Sequence, residues 1–142
     1  MSAFGHKLAT ALTPGMTILL NGPIGAGKTH LARAIIQSLL PDAEEVPSPT
    51  YTLVQTYKAD SFEIWHADLY RLSDSSELVE LGLDEAIGTD VVIIEWPDRL
   101  PSDWIQSAVL SIDIQPLDDT RHVEVTAPPG PAADLLEGLQ HV

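Results

Sequence analysis

The sequence predicts a three-layer α/β fold built on a mixed sheet, parallel at its centre and antiparallel at its edges. Two short apolar runs, MTILLN at 16–21 and VVIIE at 91–95, are typical of strands buried on both faces of a parallel sheet. Alternating apolar and polar residues with short connections predict two antiparallel hairpins, which pair 51–58 with 62–68 and 108–115 with 121–127.

Three segments carry apolar residues at helical spacing and are predicted to be helices: 4–12, 29–40 and 74–88. Pro41 stops the second helix, because proline lacks the N–H that would continue it. Gly82 divides the third region, so it forms one or two pieces. A length of 142 residues suits a single domain over 1–142, which we expect to end in a proline-led tail with a short helix at 128–142.

Composition and charge exclude several classes of function. The chain has 21 acidic and 7 basic residues, and its net charge of −14 argues against strong direct binding to nucleic acid. The absence of cysteine excludes a disulfide framework, a thiolate metal site and a cysteine nucleophile. No run approaches the roughly 20 apolar residues that span a bilayer, and the N-terminus lacks the apolar core of a signal peptide. We therefore expect a cytoplasmic protein without membrane contact.

The segment GPIGAGKT at 22–29 matches the phosphate-loop pattern G-x-x-x-x-G-K-[ST] between a predicted strand and a predicted helix. Its glycines let the backbone curl so that N–H groups point at phosphate oxygens, and the helix offers its positive N-terminal end. Lys28 is expected to reach the β- and γ-phosphates, and the Thr29 hydroxyl to ligate Mg²⁺. The sequence thus predicts the P-loop nucleoside triphosphatase fold, with ATP and Mg²⁺ held by Gly22, Gly25, Ala26, Gly27, Lys28, Thr29 and His30.

Two carboxylates are expected close to these phosphates. Glu95 ends the apolar strand VVIIE, and Asp68 ends the segment FEIWHAD. Ligands of open α/β sheets bind outside the carboxyl ends of the strands. Either carboxylate there could hold Mg²⁺ or orient an attacking water, which makes Asp68 and Glu95 candidate catalytic residues and the protein a candidate hydrolase.

Further candidates have two interpretations each. Thr50, in the loop SPTYT at 48–52, could reach the γ-phosphate or its metal, or belong to a proline-set turn before a strand. Two arginines are further candidates, Arg71 and Arg121. The guanidinium group of each could bind the phosphates or pair with one of the many carboxylates. For His66, on the 62–68 strand, a packed histidine is favoured over a ligand.

Five motifs occur along the chain in this order: GPIGAGKT, SPTYTLV (48–54), HADLYRLSD (66–74), ELGLDE (80–85) and IEWPDR (94–99). In this order and spacing they resemble one family, the bacterial TsaE (YjeE) ATPases, over roughly residues 5–127. The resemblance implies an ATPase required for the threonylcarbamoyladenosine modification of tRNA, acting as an accessory to the TsaD–TsaB pair.

The resemblance also implies roles for individual residues, carried over by position. Mg²⁺ would be ligated by Thr29 and Glu95. The γ-phosphate would lie near Asp68 and Thr50, and the nucleotide would be flanked by Trp96 and Arg121.

Other functional classes use the same phosphate loop. Small-molecule kinases neutralise the transferred phosphoryl group with several lid arginines, whereas this chain has four arginines and no arginine-rich stretch. Guanine-specific switches commonly use an Asn-Lys-x-Asp segment, and Asn21 is the only asparagine. A kinase remains the alternative enzyme, and a nucleotide-gated binding module the alternative without functional hydrolysis.

Overall fold

The computed structural model describes residues 2–40, 46, 52–101, 103–104 and 109–127. The helices are α1 (Ser2–Ala11), α2 (Lys28–Leu39), α3 (Ser76–Leu81) and α4 (Leu83–Ala86), and a 3₁₀ turn spans Pro97–Arg99. The strands are β1 (Thr17–Asn21), β2 (Val54–Lys58), β3 (Glu63–Asp68), β4 (Val91–Glu95), β5 (Val109–Leu117) and β6 (Thr120–Thr126). The predicted terminal helix in 128–142 lies outside the described residues. Within the described ranges, none of the helices has the length and apolar character needed to cross a membrane.

Among the described residues, the strands form a six-stranded sheet in the order β2–β3–β4–β1–β5–β6. The four central strands pair in parallel, whereas β2 and β6 pair antiparallel with β3 and β5 at the two edges. The predicted mixed sheet is therefore confirmed. Because parallel strands end at the same edge of a sheet, the segments that follow β1, β3 and β4 meet there.

Helices cover both faces of this sheet, because side chains alternate between the faces along each strand. In β4, Val91 and Ile93 belong to the core that α1 and α2 cover, while Val92 and Ile94 belong to the core beneath α3 and α4. All five residues of β4 are buried, as its uninterrupted apolar sequence predicts. The result is the expected three-layer arrangement.

Two strand boundaries differ from the sequence interpretation by two residues or more. β5 continues to Leu117, so the second hairpin turns through Asp118 and Asp119 alone and not through the longer connection predicted at 116–120. Tight two-residue hairpin turns require positive φ, and Asp118 has a φ of 45°. β2 begins at Val54 and not at residue 51, because Leu53 takes a left-handed φ of 67° before the ladder starts.

Gly5 allows α1 to lie directly against α2, and Gly5→Ala is expected to lower stability. An added Cβ would lie 2.7 Å from the Cβ of Ala34, closer than carbon atoms pack. Moving the helices apart should cost about 1–3 kcal/mol, seen as a drop of several degrees in the thermal unfolding midpoint. Adding Ala34→Gly removes the clash, so the double variant should be more stable than the sum of the single effects predicts. If the effects of the two substitutions on the free energy of unfolding simply added, the clash between residues 5 and 34 would not be the cause of the lower stability.

Candidate nucleotide-binding site

The loop between β1 and α2 has the backbone conformation that a phosphate cradle needs. Gly22, Gly25 and Gly27 all have positive φ, at 145°, 84° and 105°. At Gly22 an added Cβ would also lie 2.5 Å from the carbonyl oxygen of Ile114, so only glycine fits there. The loop leads into α2, whose first turn carries no acidic residue of its own, and the positive end of this helix faces the cleft.

Lys28, at the start of α2, lies folded back into the loop. Only 5% of its surface is exposed, and its Nζ donates a hydrogen bond to the carbonyl oxygen of Gly22 at 2.5 Å. Nζ also lies 3.3 Å from the centroid of the Trp96 ring, within cation–π range. Burial lowers the pKa of Lys28 from its usual value, against the opposing pull of the carboxylates of Glu95, Asp68 and Asp98.

Trp96 reaches Lys28 because of an unusual backbone turn at the end of β4. The residue has φ 59° and ψ 55°, a left-handed conformation that is rare for a bulky side chain. Its ring lies 5.0 Å from that of Tyr70, at an interplanar angle of 46°. The two rings together form an aromatic wall of the cleft.

Glu95 and Thr29 are in direct contact. The Thr29 hydroxyl donates a hydrogen bond of 2.8 Å to Oε1 of Glu95. The other carboxylate oxygen, Oε2, lies 2.7 Å from Nε2 of His66, and both side chains of this second pair are buried. Both oxygens of Glu95 are thus held by side chains from neighbouring elements.

Asp68 lies beside Glu95 because the two residues are register partners at the ends of β3 and β4. It is 6% exposed, and its Oδ1 accepts a hydrogen bond from the backbone N–H of Tyr70 at 3.1 Å. The structure therefore brings both sequence-predicted carboxylates to the same edge of the sheet, next to the phosphate loop.

These groups line a cleft of about 360 Å³. Within the described residues its lining combines the phosphate loop, the two strand-end carboxylates and the aromatic wall. The lining consists of Ile24, Gly25, Gly27, Lys28, Thr29, Asp68, Tyr70, Glu95 and Trp96.

The remaining predicted residues have different places. Gly22 and Ala26 belong to the loop backbone behind the cleft, and His30 is exposed on α2. Thr50 lies outside the described residues. Arg121 approaches the loop from β6, where its Nε donates a hydrogen bond of 2.6 Å to the carbonyl oxygen of Ala26.

The donor set of the cleft fits a magnesium ion that arrives with a nucleotide. Mg²⁺ is usually bound by one or two protein oxygens together with waters and substrate phosphates. The Thr29 hydroxyl and the carboxylates of Glu95 and Asp68 are hard oxygen ligands of this kind. In the described part of the chain, no group of three or more acidic or histidine side chains could hold a metal ion alone. The side chains of the cleft would therefore supply part of the coordination shell of a metal ion, and waters and phosphate oxygens the rest.

Sequence reasoning misses two residues of the site. The pattern favours His66 as a packing residue, yet it contacts Glu95, and nothing singles out Tyr70 although it lines the cleft. The period of two in a strand could have placed His66 on the same face as Asp68. No comparable signal marks Tyr70, because it follows the strand in an irregular segment.

A family model and several individual proteins that match most of this chain carry the same description. The family model described as threonylcarbamoyl adenosine biosynthesis protein TsaE matches residues 1–123. Among proteins named tRNA threonylcarbamoyladenosine biosynthesis protein TsaE, that of Rickettsia felis is 35% identical over 133 residues, covering 94% of this chain and 77% of that protein. The Rickettsia conorii protein is 38% identical, covering 82% and 66%, and the Haemophilus influenzae protein is 37% identical, covering 89% and 83%.

A solved structure shares the fold. The crystal structure of Bacillus subtilis YdiB superimposes with a TM-score of 0.70, covering 99% of this chain and 87% of that chain, at 25% sequence identity. The fold of this chain is thus one that also occurs in an experimentally determined structure.

Proposed function

Because this chain belongs to the TsaE family, whose role is in tRNA threonylcarbamoyladenosine biosynthesis, we propose that it is a Mg²⁺-dependent ATPase that supports this modification. The family membership supports a role in tRNA processing, and the P-loop fold supports nucleotide binding as part of this proposal. The nucleotide, the metal and the hydrolytic reaction are inferences from the cleft.

One observation carries this proposal. The Thr29 hydroxyl of the phosphate loop is bonded at 2.8 Å to the carboxylate of Glu95, which ends the neighbouring strand. In P-loop hydrolases a loop hydroxyl and a strand-end carboxylate hold the Mg²⁺ of the nucleotide between them. The pair is thus already assembled at the mouth of the loop, and Asp68 lies one strand away.

The residues of the cleft then take distinct roles. Lys28 leaves Gly22 to neutralise the β- and γ-phosphates, while loop N–H groups and the start of α2 bind their oxygens. Glu95 is hydrogen-bonded to Thr29, and we therefore assign these two side chains to the metal. Asp68 is then assigned to orient the attacking water. Bound Mg²⁺ would supply charge neutralisation and Lewis-acid polarisation of the phosphate oxygens.

Partners belong to the same proposal. We propose that the chain acts in the cytoplasm with the TsaD–TsaB pair and does not itself transfer the threonylcarbamoyl group. The described residues suit an accessory ATPase, since the chemistry-bearing side chains named above cluster around one phosphate loop. Its net charge of −14 favours contact with tRNA through partner proteins over strong direct binding.

Phosphate release from ATP without any acceptor molecule tests this function against that of a small-molecule kinase. The proposed ATPase should release inorganic phosphate in the presence of Mg²⁺, and added hydroxyl compounds should not change the rate or become phosphorylated. Release that occurs only with an acceptor, accompanied by a phosphorylated product, would contradict the hydrolase assignment.

Arg121→Ala is expected to raise the Kd for ATP by roughly tenfold, the effect of losing one charge-assisted hydrogen bond. The side chain fixes the Ala26 carbonyl at 2.6 Å and so orients the following peptide N–H toward the phosphates. Isothermal titration with ATP and Mg²⁺ measures the change. His122→Ala is the matched control, because this exposed neighbour points to the other face of β6. Equal affinities for the two variants would contradict the role of Arg121.

A further inference from the structure

We propose that His66 is a positioning residue that holds the Glu95 carboxylate in the orientation required for metal binding. The inference rests on the proposed Mg²⁺–ATP function of the cleft and extends it by one residue. It replaces the interpretation of His66 as a histidine that only fills space in the sheet.

The geometry gives Glu95 one partner for each oxygen. Nε2 of His66 lies 2.7 Å from Oε2, and the Thr29 hydroxyl lies 2.8 Å from Oε1. A carboxylate only accepts hydrogen bonds, so Nε2 must carry the proton and donate it. With Oε2 engaged by His66, the side chain presents Oε1 to Thr29 and to the phosphate loop.

The position of His66 in the sheet makes this contact rigid. His66 lies two residues before Asp68 on β3 and therefore on the same face, and its register partner on β4 is Ile93, two residues before Glu95. Its side chain is 0% exposed and that of Glu95 is 2% exposed. Since water is excluded from both, the two side chains depend on protein partners to satisfy their polar atoms.

A packing role does not explain a histidine at this position. Its other ring nitrogen, Nδ1, is buried and has no hydrogen-bond partner among the described residues. A buried, unpaired polar atom is unfavourable, and an apolar side chain of similar size would fill the same space without that cost. The hydrogen bond to Glu95 is the compensating interaction that the structure shows.

Two substitutions distinguish a positioning role from a packing role. If His66 positions Glu95, His66→Gln should be milder than His66→Phe, whereas if His66 only packs, His66→Phe should be the milder change. His66→Phe keeps a ring and loses the donor, whereas His66→Gln loses the ring and keeps an N–H donor near the place of Nε2. The measured quantity is the ratio of Kd values for a non-hydrolysable ATP analogue without and with Mg²⁺. We expect His66→Phe to reduce this ratio about fivefold and His66→Gln to keep it within about twofold of the original protein.

Affinity for the analogue without Mg²⁺ should stay unchanged in both variants, since among the described residues the hydrogen bond of the His66 side chain is to Glu95 and not to the phosphate loop. If His66→Phe does not fold, His66→Asn takes its place, because the shorter amide cannot reach Glu95. An unchanged Mg²⁺ ratio in His66→Phe or His66→Asn, or a larger loss in His66→Gln, would overturn the positioning role while leaving the ATPase proposal intact. If the original protein shows no Mg²⁺ effect, the proposed function itself fails and this inference fails with it.

Discussion

Replacing Lys28 with alanine is expected to raise the Kd for ATP by roughly 100-fold or more, equivalent to about 2.7 kcal/mol. Lys28 is the lysine that lines the cleft, and it lies among the carboxylates of Asp68 and Glu95. Without its ammonium group, a triphosphate would face these carboxylates uncompensated. Isothermal titration with ATP and Mg²⁺ measures the loss directly.

Lys58→Ala is the matched control for this prediction. Lys58 is an exposed lysine at the end of β2, on the outer edge of the sheet, so its removal changes the net charge equally without touching the cleft. The control should bind ATP as the original protein does. If Lys28→Ala bound ATP within a few-fold of Lys58→Ala, the phosphates would have to lie elsewhere.

Replacing Glu95 with glutamine is expected to lower kcat for ATP hydrolysis by roughly 100-fold, while the Kd for ATP changes by less than about tenfold. The amide has the same shape, and its oxygen can still accept the Thr29 hydrogen bond. Its NH₂ group then faces His66, which can accept this hydrogen bond at Nε2 when its own proton is on Nδ1. The negative charge that attracts a metal at this place is lost. Glu95→Ala should have the same effect on hydrolysis, with an additional loss of stability because His66 would lose its partner.

Single-turnover hydrolysis at saturating ATP, together with titration of the analogue, separates the two effects of Glu95→Gln. Glu85→Gln is a suitable control, because Glu85 is exposed on α4, on the other face of the sheet. Normal hydrolysis by Glu95→Gln would show that the metal assignment is wrong. A large loss of ATP affinity with unchanged kcat would point to a binding role only.

Those residues of the candidate site that belong to a contiguous motif, or that end a predicted strand, could be predicted from the sequence. The phosphate loop is a contiguous motif, and Glu95 is the polar end of a wholly apolar strand, so both could be read without tertiary information. Asp68 was found for the same reason. That both acids lie near the phosphate loop was also expected, because ligands bind outside the carboxyl ends of the strands, whereas the register that pairs Asp68 with Glu95 is known from the structure alone.

The contacts that sequence reasoning missed depend on backbone conformation and register. Trp96 lies over Lys28 because its backbone takes a left-handed φ of 59°. No glycine or asparagine in that segment indicates such a conformation from the sequence. His66 meets Glu95 because of the pairing of β3 with β4, which the sequence leaves undetermined. The two-residue turn at Asp118 likewise depends on how far the β5–β6 ladder extends.

The most direct test of the central claim is the rate of ATP hydrolysis by this chain alone and with the TsaD–TsaB pair, followed by size-exclusion chromatography of the mixture with ATP and Mg²⁺. We predict that the pair raises the hydrolysis rate and co-elutes with the chain, and that Lys28→Ala shows no stimulation. An unchanged rate with no co-elution would contradict the account of this protein as an ATPase that serves tRNA modification.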